Sequence, residues 1–528
     1  MISTLSTPSE TSRQREQTNT NRQIRGSSLL LAGRFLSKGL NFLVQLLIVR
    51  TLSETDFGTF AYALAVVQIC QHVATLGLDR AITRFVPIYH EHRDYRRLFG
   101  TIVMCFTTIF SIGLIIALLF VSFRALIADT AVSNPTVLRL LLLLIFLTPL
   151  QAIDDLLVGM FAVFASPRAI FFRKHVLAPC LKLLVVLGLI IGQSGLMFLA
   201  RGYLAASFVG VAIYSVMLFR MLRRDGLLAH FHLSGITIPW RDILTFSIPL
   251  LTSDLVYAVM NGLSPVMIEY YWGVSEVASL RAVLPAAMLN QLVMASFATL
   301  FTPSAARLFA RNDRIAINNL YWHTAVWIAL LTFPIFALTF SLSHSITVLL
   351  YGNRYAHAAM ILSLLSLGHY VNAATGHNGL TLKVYGKVRY VVSLNIATAV
   401  ISLLLNVLLI PKFGAHGAAL AICCTLIIHN IFKQVGLRLG TGINLFEVHY
   451  GRVYLSIALA TLVLGASQWV LTLIHHARPL TVPPGYISIV LAALVTALIF
   501  RLNRHLLDVE HTFPEVLRIP LARWLLCK

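Results

Sequence analysis

The stretch SLLLAGRFLSKGLNFLVQLLIV runs from Ser28 to Val49. It is apolar for about the 20 residues that a membrane-spanning helix needs. Yet it carries Arg34 and Lys38, followed by Asn41 and Gln45. A charge at the bilayer centre costs about 2.5 kcal/mol or more, so such residues face a protein interior or a water-filled cavity. On a helix, residues three or four apart share a face. Here the spacings are 4, 3 and 4, which place all four polar residues in one stripe.

The rest of the chain has the same character. Of 528 residues, 58% are hydrophobic and only 12% charged. Mean hydropathy is +0.81. Soluble domains are nearer half apolar and a quarter charged, so the expected class is an all-α integral membrane protein. The net charge of +21 does not point to nucleic acid, because no segment is long and polar enough to form a soluble basic domain. Cys70, Cys105, Cys180, Cys423, Cys424 and Cys527 lack metal-ligand spacing and suit apolar packing. No nucleotide-binding loop, HExxH or GxSxG is present, so neither an enzyme, a metal site nor a cofactor is expected.

Fourteen spans are expected. They centre near Leu40, Gln68, Ile112, Leu150, Val185, Val209, Leu255, Asn290, Leu331, Ser366, Leu403, Ile427, Leu464 and Ala493. Asp154 and Asp155 interrupt the fourth, and the eighth carries Arg281, Pro285, Asn290 and Gln291. Lysine and arginine mark cytoplasmic loops. With the N-terminus inside, basic residues crowd alternate loops, Arg168, Arg173 and Lys174 among them. The other loops hold only Arg50, Arg124, Arg354, Lys412 and Arg478. Both termini are therefore expected in the cytoplasm. Every external loop is short, which leaves no room for a catalytic domain.

An internal repeat is visible at an offset of 220 residues. SETDFGTFAYALA from Ser53 aligns with GVSEVASLRAVLPA from Gly273. The offset pairs spans one and two with seven and eight.

Three longer stretches resemble a known family. They are LSETDFGTFAYALAVVQICQHVATLGLDRAITRFVP (Leu52–Pro87), LLYGNRYAHAAMILSLLSLG (Leu349–Gly368) and GKVRYVVSLNIATAVISLLLNVLLIPKFGAHGAALA (Gly386–Ala421). The core LNxLLIPxFGxxGAA of the last is the most specific. The chain resembles the Wzx-type polysaccharide flippases of the MOP superfamily, to which multidrug extruders and the lipid II flippase also belong. The resemblance extends from about Ser27 to Leu437. It departs where this chain has Ala278 and Leu280, and where Asn261-Gly262-Leu263-Ser264 replaces a stretch that often holds an acid.

The resemblance implies two pseudo-symmetric six-helix lobes around a central cavity that alternates between the two faces. The expected layout is a disordered cytoplasmic tail (1–26), an N-lobe (27–220), a linker (221–240), a C-lobe (241–437), two extra spans (438–501) and an amphipathic cytoplasmic tail (502–528). It also implies a bacterial cytoplasmic (inner) membrane. The substrate would be a polyprenyl-pyrophosphate-linked oligosaccharide for surface polysaccharide synthesis, with membrane lipids and polysaccharide polymerase or export proteins as partners. A multidrug antiporter and a lipid II-type flippase are the alternatives. A multidrug antiporter is expected to favour acidic cavity residues, whereas this chain leans basic.

The helices that line the cavity in the family are the ones that carry polar stripes here. Span two holds Gln68, His72, Thr75 and Asp79, and span seven holds Asp254, Tyr257, Asn261 and Ser264. Arg34, Lys38, Arg80, Arg84 and Arg281 are the candidate cations for the pyrophosphate, since guanidinium forks match phosphate oxygens and an ammonium supplies a point charge. Asn41, Gln45, Gln68, Tyr257 and Asn261 are candidate cavity lining. Asp254 is the candidate coupling acid, for a proton or sodium ion. The alternative is internal pairing, with Arg34 or Lys38 neutralising Asp254 or Asp154. Lys182 and Arg201 read as snorkelling or packing residues.

Overall fold

The structure, a computed structural model, describes residues 32–130, 134–164, 167–231, 235–477 and 484–507. The tail 1–26 and most of 502–528 lie outside the described residues. Every element named here is helical. In chain order they are α1 Ala32–Thr51, α2 Glu54–Thr75, α3 Leu78–Glu91, α4 Tyr95–Ser122, α5 Arg124–Thr130, α6 Pro135–Leu144, α7 Leu147–Val163, α8 Pro167–Ile170, α9 Ala178–Ile191 and α10 Leu196–Arg224. There follow α11 Trp240–Trp272, α12 Val274–Met288, α13 Leu292–Ala310, α14 Arg314–Phe336, α15 Ser343–Tyr351, α16 Ala359–Ala374, α17 Asn378–Val384, α18 Val388–Thr441, α19 Gly451–Ala477 and α20 Pro484–Leu507. A π-helical turn, Phe171–Leu177, joins α8 to α9.

Among the described residues, twelve helices are long and apolar enough to cross a membrane, where the sequence leads one to expect fourteen spans. Two features account for the difference. First, α18 has 54 residues. At 1.5 Å per residue it would be about 80 Å long, more than twice the hydrocarbon thickness. It breaks at Gly414 (φ 55, ψ −132), between the centres expected at Leu403 and Ile427. Second, α11 occupies the position of the seventh expected span but is not one of the twelve. Many large apolar side chains face outward, such as Ile115 and Leu118 on α4 and Phe208 and Phe219 on α10. Lipid is the solvent that such a surface suits.

The chain folds as two compact units. Of the described residues, one comprises those within 1–52 and 63–258; the other comprises those within 53–62 and 259–528. The first has its core where α3, α4, α7 and α10 pack together around Leu78, Ile82, Leu98, Leu156, Phe161 and Tyr214. Small residues let these helices approach. A side chain on Gly113 of α4 would lie 2.8 Å from the Pro149 backbone of α7. Capping is local: Asp94 accepts from the Arg97 N–H at the start of α4 (3.1 Å), and Asn134 from the Thr136 N–H at the start of α6 (3.0 Å).

The second unit is cored by Phe301, Ile317, Tyr321, Trp322, Leu382 and Leu437 from α13, α14, α17 and α18. Its first segment, Ser53–Tyr62, packs on the start of α12. There a Cβ on Gly58 would stand 1.9 Å from the Val274 carbonyl oxygen. The two copies of the sequence repeat thus touch, and Gly58 is the residue that permits the contact.

Candidate functional site

In α1, Gly33, Ser37, Val44 and Ile48 form the buried face. Ser37 donates to the Arg34 carbonyl (3.1 Å) and lies 3.0 Å from His175 Nδ1 in the π-helical turn. Arg34, Lys38 and Asn41 are exposed, and Gln45 is half-buried. At about 100° per residue their stripe lies roughly a quarter turn from the buried face, with leucines and phenylalanines on the remaining side. The four polar residues therefore share one side of α1, apart from its buried face.

Span two differs from expectation. Leu76 and Gly77 both adopt left-handed conformations (φ 49 and 68), so α2 ends and α3 begins afresh. The helical register from Gln68 to Asp79 is broken there. Arg80 and Arg84, four residues apart on α3, are exposed. The Arg84 guanidinium sits 4.4 Å from the centroid of the Phe246 ring. Arg281 is half-buried on α12, in the other unit. Asp254, Tyr257 and Asn261 fall on α11, but their side chains lie outside those described.

Asp154 is paired with a cation other than the expected Arg34 or Lys38. Arg173 Nη2 lies 2.6 Å from Asp154 Oδ1, and the Arg173 side chain is only 4% exposed. Its Nε donates to the Gly210 carbonyl of α10 (3.1 Å), and its guanidinium lies 5.6 Å from the Tyr214 ring. Arg173 and Lys174, expected in a cytoplasmic loop, fall within one continuous candidate span, Arg168–Ile191. The reason is the π-helical turn. It carries the chain through as helix and turns Arg173 inward on one side, while Phe171 and His175 pack against Gly33 on another. Turns of this kind recur at functional sites.

Arg173 belongs to a polar cavity of about 280 Å³ within the first unit, which the sequence did not reveal. Gln68 and Gln71 of α2, Gln151, Asp154 and Asp155 of α7, Lys182 of α9 and Ser207 of α10 also line it. Gln71 Nε2 donates to Asp155 Oδ2 at 2.6 Å. Of the residues expected to line a cavity, only Gln68 is here. The available signal was the pair of acids interrupting span four. The basic residues that share their cavity could not be chosen from sequence, because Arg173 and Lys182 resemble ordinary flanking charges.

The profile of the family described as polysaccharide biosynthesis protein matches residues 24–309, more than half of the chain. An uncharacterised membrane protein of Methanocaldococcus jannaschii is 20% identical over 406 residues, covering 75% of this chain and 80% of its own. The succinoglycan biosynthesis transport protein ExoT of Rhizobium meliloti is 24% identical over 357 residues, covering 66% of this chain and 65% of its own. Among solved structures, the lipid II flippase MurJ in an inward closed conformation superposes with a TM-score of 0.68 at 16% identity, over 91% of this chain and all of the other. An inward-facing multidrug resistance transporter of the MATE family superposes at 0.62 and 13% identity, over 77% and 94%.

Proposed function

Because the chain belongs to the polysaccharide biosynthesis protein family, we propose that it is a flippase carrying a lipid-linked, pyrophosphate-containing oligosaccharide across a bacterial cytoplasmic membrane by alternating access. The observation that carries this reading is the exposed Arg34–Lys38 stripe within a span. A charged pair on an accessible face of a membrane helix is tolerated where water or an anion meets it, and a pyrophosphate supplies that anion. Arg80 and Arg84 add exposed cations on α3. The resemblance of the fold to MurJ and to MATE transporters supports a transport role, and no catalytic step is assigned. Oligosaccharide polymerisation and export proteins would receive the product. Asp254 is retained as a coupling acid for a proton or sodium ion.

The test is transport of a fluorescent polyprenyl-pyrophosphate oligosaccharide into vesicles holding the protein. Lys38→Gln and Arg34→Gln should each lower the rate by about tenfold or more, the worth of one charge-assisted hydrogen bond. Lys38→Arg should keep much of it. Melting temperatures should barely change, because exposed positions cost within about 0.5 kcal/mol. Normal transport by the double Gln variant would defeat the reading.

A further inference from the structure

The polar cavity of the first unit holds two carboxylates and two bases, yet it is only half paired. Asp154 and Arg173 neutralise one another at 2.6 Å. Among the described residues, neither Asp155 nor Lys182 has an opposite charge within the 4.0 Å of an ion pair, although both line the same 280 Å³. Asp155 has the Gln71 amide instead, and Lys182 lies 5.7 Å from the Tyr203 ring centroid. Arg173 Nη1 is buried and has no protein partner. A volume of this size takes several waters at about 30 Å³ each, and these donors and acceptors suit them. An intramembrane acid without a cation is a functional site by default.

We propose that this cavity is a proton-carrying site, with Asp155 as the carrier. Its carboxylate takes one excess proton, delivered as hydronium through the cavity water, and becomes a carboxylic acid; unloading returns that proton to water as hydronium. With Asp154, Arg173 and Lys182 charged, loading moves the formal charge of the cavity from zero to +1. A metal cation fits poorly, because Arg173 and Lys182 line the same space and repel it. The site lacks an aromatic lining face, which also disfavours a sugar ring.

Protonation has a mechanical consequence. As a carboxylate, Asp155 only accepts, and Gln71 presents its NH₂. As an acid, Asp155 has an O–H to donate, and the amide oxygen of Gln71 becomes its better partner. The link between α2 and α7 thus changes with load. The charged groups that act on Asp155 are Asp154 on its own helix, Lys174 in the π-helical turn and Asp79 on α3, with Arg173 and Lys182 across the cavity.

This inference deepens the transport reading and rests on it for its purpose, but its spectroscopic test needs no lipid-linked substrate. Infrared difference spectra of the purified protein in lipid nanodiscs are recorded as pH is varied. The carboxylic-acid carbonyl band grows on acidification with contributions from all the chain's acids, and the component owed to Asp155 should be the one that Asp155→Asn removes from it. Asp254→Asn should leave that component in place. Lys182→Met and Gln71→Leu, which keep the carboxyl, should shift the pH at which that component appears. In vesicles, Asp155→Asn should lose the response of transport to an imposed pH gradient. A band from which Asp155→Asn removes no component, or a midpoint of that component indifferent to both Lys182→Met and Gln71→Leu, would overturn the proposal. Loss of that component with transport unaffected by the gradient would overturn its role in coupling, while failed transport with an intact titration would count against the flippase reading alone.

Discussion

Arg173 and Asp154 show how much a single buried pair governs here. Removing one partner of such a pair leaves an uncompensated charge, at a typical cost of about 3–5 kcal/mol. Arg173→Met alone should therefore lower the melting temperature sharply, and thermal unfolding in detergent measures it. Arg173→Met combined with Asp154→Leu should recover most of the loss, because an apolar pair of similar volume serves a bundle interior as well. A milder residue-scale effect lies in the loop before α19. Hydrogen bonds from Asn444 (2.7 Å) and Asn318 (2.8 Å) hold the Glu447 carboxyl below its usual range. A depressed pKa means that this contribution is present above the unfolded value near 4.5 and is lost as pH falls through the folded one. Glu447→Gln should cost a few tenths to about 1 kcal/mol near neutrality, and its difference from wild type should shrink in acid.

At the scale of the element, the most specific sequence motif turns out to be a helix break with its repairs. In LNxLLIPxFGxxGAA, Pro411 removes a donor and Gly414 takes a backbone conformation that other residues rarely adopt. The freed groups find partners on neighbouring elements. Trp272 Nε1 donates to the Ile410 carbonyl (2.9 Å), and Glu276 Oε2 accepts from the Ala415 N–H (3.0 Å). Asn406 Oδ1 accepts from Ser264 Oγ at 3.0 Å, tying α11 to α18. Gly414→Ala should cost about 1–3 kcal/mol through backbone strain. Glu276→Ala should cost about 1–3 kcal/mol by leaving an amide unsatisfied. Both are read by thermal unfolding, and Glu276→Gln should be milder. Gly58 makes the same point about the repeat. Gly58→Val would drive a side chain into the Val274 carbonyl, so Ser53–Tyr62 should leave α12 and expose Ser279 to an impermeant reagent once it is replaced by cysteine.

At the scale of the whole molecule, charge alternation makes a claim that labelling can check. In a variant lacking the native cysteines, probes at Gln193 and Lys412 should react with an impermeant thiol reagent from outside. Probes at Glu91 and Arg311 should react only after permeabilisation. All four positions are exposed. Reversed labelling would invert every site placement, including the cytoplasmic termini. The twelve candidate spans do not decide this, because hydropathy measures depth and is blind to side.

Sequence alone determined the class, most of the spans and the stripe on α1. Lipid imposes long apolar runs, and the 3.6-residue period assigns faces within a single helix, so both are local properties. The α1 stripe could be read because all its members lie within twelve residues of one another. Two breaks escaped that reading, the left-handed Leu76–Gly77 step and the π-helical turn at Phe171–Leu177, since each lies inside a run read as one element or as a loop. The break at Gly414 falls between two expected spans, and Trp272 and Glu276 supply partners for the backbone on either side of it. The cavity around Asp154, Asp155, Arg173 and Lys182 is likewise a product of tertiary structure. Its members come from α2, α7, the π-helical turn, α9 and α10, and a charge inside a bundle is defined by its partner across space rather than by its neighbours along the chain.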